Sequence, residues 1–358
     1  MKILYIITGL AQGGAERVVC DLADAMFRKG HEVKIAYLTG EVLTRPSNTK
    51  IELIKVNLNN MRLLIPAYIK FKKIIREYQP DVVHSHMVHA NLFSRLVRIT
   101  VPMKKLISTA HNSNEGGRGR MFLYRATHNL SELTTNVSNT AVTSFELKNA
   151  VPNNSMKTVY NGVDFNKFNY YSLAKKELCD ELKLDENCKI ILSVGRFNKQ
   201  KNYPNLLKAI EILKREVDYS FKLIIAGDGE LRPLLESMIK EKGLEHDVIL
   251  LGRRHDVPTL MSACDVFVLS SDYEGLPTVL IEAIACQAQV VSTEVSGARE
   301  IIGDYGYIVP TKDSAKLSTV IITALNLKER NVLGKNYSKN KFDINIISKK
   351  WLDIYNEE

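Results

Sequence analysis

Glu274 and Glu282 bracket the segment Glu274-Gly-Leu-Pro-Thr-Val-Leu-Ile-Glu282, which follows the strand-like run DVFVLS. Pro277 suits the first turn of a helix, where its missing N–H costs nothing. The amides of Leu276, Thr278 and Val279 then point outward as free donors, and with the helix dipole they make a phosphate site. Glu282 comes four residues after Thr278, on the same helix face. Two carboxylates beside a phosphate site are costly unless they bind hydroxyls, and sugar and ribose hydroxyls are fitting partners. On spacing alone, Glu274 as a helix cap and Glu282 as a solvated helix residue fit equally well.

A second segment, Gly195-Arg196-Phe197-Asn198-Lys199-Gln200-Lys201-Asn202, follows the strand-like KIILSV. Two cations after a βα turn suit a diphosphate through charge-assisted hydrogen bonds; a solvated basic loop is the alternative. A third, Gly9 to Glu16, is a glycine-rich turn in which Gly13 and Gly14 let a ligand approach the backbone. It is not G-x-G-x-x-G, so a dinucleotide fingerprint is not supported. His111 follows the run KKLIST and opens onto a loop, residues 113–120, that reads as mobile. His84 and His86 alternate onto one side of a strand. No Cys or carboxylate joins them and His89 at ligand spacing, so we expect no metal site and read His86 as a hydrogen-bonding residue. The chain has no DxD, Walker A, G-x-S-x-G or H-E-x-x-H sequence. That removes a DxD-type metal site, a P-loop kinase, an α/β-hydrolase and a zincin from consideration.

These segments need strands and helices to place them. The run ILYIITGL reads as a buried first strand rather than a signal peptide. Residues 16–29 carry a helical apolar stripe, Val18, Val19, Leu22, Ala23, Met26 and Phe27, closed by Gly30. Strand-like and helix-like stretches then alternate, through a helix at 62–77, until the pattern loosens over 161–188. Alternation restarts at KIILSVG and runs to an amphipathic helix near 342–355 with Ile344, Ile347, Trp351 and Tyr355. Two runs of βα units imply two mainly parallel sheets with helices on both faces. We expect an α/β chain with one domain over 1–165, a second over 166–341 and a C-terminal helix at about 342–358. In such sheets ligands sit beyond the carboxyl ends of the strands, where all the segments above fall.

The length of 358 residues suits two domains. With 45% hydrophobic and 25% charged residues the chain is an ordinary globular one. It has no apolar stretch long enough to span a membrane. Five cysteines do not make a disulfide framework and point to reduced thiols in the cytoplasm. The net charge of +9 is uneven. Residues 1–165 hold 22 Lys and Arg against 12 Asp and Glu, while the remainder is close to neutral. Nucleic acid, phosphorylated ligands and anionic lipid all suit a half of that charge.

Together the segments resemble glycosyltransferase family 4. The resemblance rests on Gly13-Gly14-Ala-Glu16, Gly195-Arg196 with Lys201-Asn202, and Glu274-x7-Glu282 with Gly-Leu-Pro inside it. Asn161-Gly-Val-Asp164 and Ser296-Gly-Ala-Arg-Glu300 support it. It spans nearly the whole chain and is weaker in the N-terminal half. It implies a GT-B fold, two Rossmann-like domains facing across a cleft, with the last helix crossing back to the first. It also implies sugar transfer from a nucleotide-diphosphate sugar with retention of configuration, without a metal or other cofactor. By the same resemblance Arg196 and Lys201 hold the donor diphosphate, helped by Gly13, Gly14 and the backbone of Gly275, Leu276 and Thr278. Glu282 takes the ribose, Glu274 the transferred sugar, His111 the same sugar, and Arg253 lies beside the base.

A UDP-linked hexose or N-acetylhexosamine is the favoured donor and GDP-mannose the second. The acceptor would be a glycan or a polyprenyl-diphosphate-linked glycan in bacterial O-antigen or capsule synthesis, with no nucleic-acid partner. Lys70, Lys72, Lys73 and Arg76 on the 62–77 helix then suit an anionic inner-leaflet surface, placing the enzyme peripherally on the cytoplasmic face; a helix with solvated lysines is the alternative. A GT-B nucleotide-sugar epimerase or hydrolase and a non-catalytic binding module are rival readings. The first needs no acceptor, and the second tends to lose such costly charges.

Overall fold

The apolar run at the start is a strand because its five residues Ile3 to Ile7 are all buried, as a central parallel strand requires. In the computed structural model, which describes residues 1–113 and 115–357, this β1 (Lys2–Ile7) leads to α1 (Gly14–Arg28), β2 (Glu32–Tyr37) and β3 (Glu52–Lys55). The chain continues through α2 (Leu64–Tyr78), β4 (Val82–His86), α3 (Val88–Arg98), β5 (Leu106–Ala110) and α4 (Arg118–Ala126). The run closes with β6 (Leu133–Asn136), α5 (Asn139–Leu147) and β7 (Met156–Thr158). Its sheet is parallel throughout, in the order β3-β2-β1-β4-β5-β6-β7.

The second run begins with α6 (Ala174–Leu182), β8 (Lys189–Val194), α7 (Tyr203–Glu216) and β9 (Phe221–Ala226). It goes on with α8 (Arg232–Glu241), β10 (Val248–Gly252), α9 (Val257–Ala263), β11 (Val266–Leu269), α10 (Thr278–Ala285) and β12 (Gln289–Thr293). Then come α11 (Ala298–Ile302), β13 (Tyr307–Val309), α12 (Ser314–Leu325) and α13 (Val332–Phe342). This sheet is also parallel, ordered β10-β9-β8-β11-β12-β13. The last helix, α14 (Ile344–Asn356), belongs to the first unit, which comprises Met1–Val163 and Ile344–Glu358; the second is Asp164–Asp343.

The junctions therefore fall after Val163 and before Ile344, each two residues from the expected 165 and 342. Val163 still accepts a backbone hydrogen bond from Ile344, so the two crossing strands of chain are tied to each other inside the first unit. α14 belongs there because its stripe of Ile347, Trp351 and Tyr355 packs with Ile3, Tyr5, Val19 and Met26. The opposite sheet face is covered by α2 and α3 through Phe71, Ile74, Phe93 and Val97 on Leu4 and Ile6.

Several elements depart from expectation. The loop read over 113–120 ends early, because α4 starts at Arg118; Asn114 and the terminal Glu358 lie outside the described residues. This helix buries only Met121 and Tyr124, too short a stripe to stand out from a Gly- and Arg-rich sequence. The loosened stretch 161–188 contains α6, anchored by Ala174, Leu178 and Cys179. The helix expected over 62–77 is one 3-10 turn, Met61–Leu63, followed by α2 to Tyr78. All five cysteines are buried and free.

Candidate functional site

In the second sheet the chain lays down β8, β9 and β10 to one side, then returns to the other side of β8 with β11. The loops leaving two strands at such a reversal part from each other and leave a ligand crevice at their carboxyl ends. Arg196 and Lys201 leave β8, and Glu274 leaves β11. Asn198 accepts from the Lys201 N–H at 3.1 Å and closes a 3-10 turn, Lys199–Lys201. Asn202 then adopts left-handed backbone (φ 44°) and caps α7, its side chain accepting from the Asn205 N–H at 3.3 Å.

That turn carries Lys201 to the neighbouring loop, where its Nζ lies 2.7 Å from Glu274 Oε1. Gln200 Nε2 donates to Glu274 Oε2 at 2.9 Å, and Ser271 Oγ donates to Oε1 at 2.8 Å. Only 17% of the Lys201 side chain and 10% of that of Glu274 are exposed, so the pair is poorly screened and well fixed. Lys201 and Glu274 are thus brought together, though the sequence reading gave them separate partners.

Pro277 is the residue before α10 (φ −73°, ψ 90°), not a member of its first turn, and it has no side chain with which to cap that end. Leu276 is buried, while Thr278 and Glu282 are half-buried on the helix. The turn is held from outside by Gly297. Its φ is +77°, and a Cβ there would lie 2.8 Å from Leu276 Cδ1 and 3.0 Å from the Gly275 carbonyl oxygen. This gives a physical use to the Ser296-Gly297-Ala298 segment.

Arg196 stands apart from Lys201. It is mostly exposed and pairs with Glu230 at 3.2 Å. Glu230 lies on the loop after β9, which sequence reasoning missed. The signal was Gly227-Asp228-Gly229 directly after a strand. A Cβ on Gly227 would fall 1.9 Å from the Gly195 carbonyl oxygen, and one on Gly229 2.5 Å from that of Phe197, so the two loops touch backbone to backbone. Arg253 is exposed after β10. Its neighbour Arg254 is committed to Glu181 and to Asp256, whose hydrogen bonds hold the guanidinium further toward its charged form.

The first sheet has its own reversal, between β1 and β4. Gly13 forms the N-cap of α1. A Cβ added to Gly14 would meet nothing within 4 Å, so the surrounding packing does not itself demand a glycine there. His86 ends β4 and His111 follows β5; their rings meet, His86 Nδ1 to His111 Nε2, at 3.0 Å. His84 shares the strand face with His86, ring centroids 4.0 Å apart, whereas His89 is exposed on α3. Burial pushes the His84 and His86 imidazoles far below their usual range and His111 down to about 4, so all three are neutral at pH 7.

Glu115 was not singled out by sequence. It is buried, accepts from the His111 N–H at 2.8 Å and from Tyr124 Oη at 2.9 Å, and its carboxyl is pushed up to about 7 by desolvation. Tyr124 also receives the Asn91 amide at 2.6 Å and lies under the Arg95 guanidinium, 5.0 Å from ring centroid to Cζ. On α2, Lys70, Lys73 and Arg76 are exposed and Lys72 is half-buried over the Tyr68 ring. Among the described residues no group of three or more His, Cys, Asp or Glu is arranged to hold a metal ion. No described helix is long and apolar enough to cross a membrane.

Residues 174–341 match the family described as glycosyl transferases group 1, and residues 12–167 match glycosyltransferase family 4. A Campylobacter jejuni α-1,4-N-acetyl-D-galactosaminyltransferase, named for an acceptor built on diNAcBac-PP-undecaprenol, is 28% identical over 100% of this chain and 99% of its own. An uncharacterised glycosyltransferase of Methanocaldococcus jannaschii is 30% identical over 76% of this chain and 74% of its own. Among solved structures, that of Anabaena HepE with UDP and glucose superposes with a TM-score of 0.84 at 20% identity, covering 99% of both chains.

Proposed function

The chain belongs to the glycosyltransferases, a family 4 unit followed by a group 1 unit on the GT-B fold, and from that premise we propose that it moves a hexose or N-acetylhexosamine from a UDP-sugar to a lipid-linked glycan. The observation that carries this reading is the fixed Lys201–Glu274 pair beside the start of α10. A cation and a helix N-terminus suit a diphosphate, and a carboxylate next to them suits a sugar. The open space at Gly14 supports an approach to the backbone at the start of α1.

In this reading Arg196, Lys201 and the amides of Gly275, Leu276 and Thr278 bind the diphosphate, with Gly13 and Gly14 beside it. They stabilise the negative charge that grows on the leaving group. Glu282 takes ribose hydroxyls and Arg253 lies beside the base. Glu274 and His111 contact the transferred sugar, where positive charge builds as its glycosidic bond breaks. The acceptor oxygen bonds to the anomeric carbon on the face that the diphosphate leaves. A diphosphate oxygen takes the acceptor proton, so configuration is retained with neither a metal nor a covalent sugar–enzyme bond.

The acceptor is a polyprenyl-diphosphate-linked glycan of surface-polysaccharide synthesis, in keeping with the name of the Campylobacter relative. The enzyme reaches it from an anionic inner-leaflet surface. The support is α2 with its preceding turn, where Met61, Ile65 and Ile69 are 77%, 71% and 60% exposed beside Lys70, Lys72, Lys73 and Arg76.

A nucleotide-sugar panel followed by thermal shift tests the donor. The true one at 100 times its dissociation constant adds about 2.7 kcal/mol of stability, and no response to any UDP-sugar removes that class. Glu274→Gln lowers kcat by more than about tenfold, 1.36 kcal/mol of barrier, while Glu282→Gln chiefly raises the donor KM. The reverse pattern overturns the two roles.

A further inference from the structure

The three histidines of the N-terminal unit differ in how completely they are satisfied. His84 is engaged at both ring nitrogens, Nδ1 with Tyr355 Oη and Nε2 with Thr109 Oγ1, each at 2.7 Å. His86 and His111 share one contact, Nδ1 to Nε2 at 3.0 Å. Their outer nitrogens, His86 Nε2 and His111 Nδ1, are buried without a partner. Both line one narrow cavity with Asn161 and Trp351.

Both rings are neutral, so two protons occupy four nitrogens and the shared contact holds one of them. If His86 Nδ1 holds it, the other proton must sit on His111 Nδ1. If His111 Nε2 holds it, the other sits on His86 Nε2. The tautomer of His111 is therefore set by that of His86. Either arrangement leaves one outer N–H and one bare outer nitrogen. A buried N–H without an acceptor is the costlier of the two to leave for good. Both outer nitrogens are buried, but His86 is 1% exposed and stacked on His84 within its strand, whereas His111 is 8% exposed just beyond the carboxyl end of β5, nearer to where a ligand arrives.

The geometry points to His86 as a positioning residue that donates from Nδ1 to His111 Nε2 and so presents the His111 Nδ1–H to a substrate oxygen. That oxygen is a hydroxyl or a phosphate oxygen of the nucleotide sugar, and this last identification rests on the function proposed above. Glu115 accepts the His111 backbone N–H and so anchors the main chain from which the ring projects.

Nitrogen-15 spectra of the full chain, with histidine side chains labelled, test the pairing without substrate. The expected result is His111 as the Nδ1–H tautomer in the unaltered protein and a tautomer mixture in His86→Leu. Asparagine places an amide near the position of Nδ1, so His86→Asn restores the single tautomer. In transfer assays His86→Leu lowers kcat at least about tenfold with donor KM little changed, and His86→Asn recovers most of the loss. An Nε2–H tautomer in the unaltered protein overturns the proposal, as does unchanged kcat in a folded His86→Leu. Should His86→Leu fail to fold, the unaltered protein and His86→Asn still decide it. If the spectra come out as expected but no nucleotide sugar is turned over, the pairing stands and the proposed function falls.

Discussion

At the carboxyl edge of the C-terminal sheet, polar side chains are charged and meet partners of opposite sign: Lys201 with Glu274, Arg196 with Glu230, and Arg254 with Asp256 and Glu181. The N-terminal sheet keeps its polar groups buried and largely neutral. His84, His86, His111 and the protonated form of Glu115 form one such set, and Arg95, fully buried, makes hydrogen bonds to neutral groups. The difference is not one of depth alone, since Glu274, His111 and Glu115 are each 8% exposed; it lies in the partners the fold supplies. A cation and a carboxylate held together can each exchange the other for a ligand. In the interior an ion is expensive, and hydrogen bonds between neutral groups hold geometry at lower cost.

The sharpest way to break this comparison is at Arg95. Its guanidinium serves Ser108, Ser131, Thr127, Thr134 and the Tyr124 carbonyl. Arg95→Leu leaves those groups with fewer partners and opens space, so it should cost about 2–5 kcal/mol by urea unfolding. A loss below about 0.5 kcal/mol would show that the buried network is dispensable.

Glu115 probes the same network through pH. Burial pushes its carboxyl up to about 7 in the folded chain, above the ordinary glutamate value of 4.5. As pH rises between those values the unfolded chain releases a proton that the folded chain keeps, so stability declines across that window. The contribution amounts to about 3 kcal/mol once pH exceeds 7. Glu115→Gln should flatten the decline in denaturant midpoints between pH 4.5 and 7.5. Asp256 in the other unit runs the opposite way. The Arg254 hydrogen bond lowers its pKa, so its contribution is present at neutral pH and is lost on acidification.

Arg196→Ala should separate binding from folding. Its ion pair with Glu230 is 62% and 53% exposed, so the change in stability stays within about 0.5 kcal/mol. Affinity for UDP, measured by calorimetry, should fall by about 1.5–3 kcal/mol because a charge-assisted contact is lost. Unchanged affinity removes Arg196 from the donor site. The smallest effect per residue is expected on α2. Replacing Lys70, Lys72 and Lys73 with Glu should weaken sedimentation with anionic vesicles by about 1 kcal/mol for each lysine, and binding of the unaltered protein should fall with salt. Equal sedimentation of the variant excludes this helix as the contact.

The βα alternation, the two parallel sheets and the existence of the amphipathic last helix are legible in the sequence, because period and apolar content are local properties of a segment; its return to the first unit is implied only by the family resemblance. So is the strand–turn–helix around residues 274–282, which lies within one stretch of chain. The short helix Arg118–Ala126 and the edge strand Met156–Thr158 are not, since each buries too few side chains to leave a pattern.

By itself the sequence determined which loops leave the carboxyl ends of strands and which residue types they carry. The tertiary structure decided who meets whom. Lys201 and Glu274 lie 73 positions apart, His84 and Tyr355 lie 271 apart, and His86 and His111 lie 25 apart across two strands. Strand order brings the Lys201–Glu274 and His86–His111 pairs together, the packing of α14 on the first sheet brings Tyr355 to His84, and burial keeps the histidines neutral. Neither strand order nor burial is a property of any short segment. The charge on a histidine, and the atom at which it holds a proton, are therefore settled only when the sheet has assembled around it.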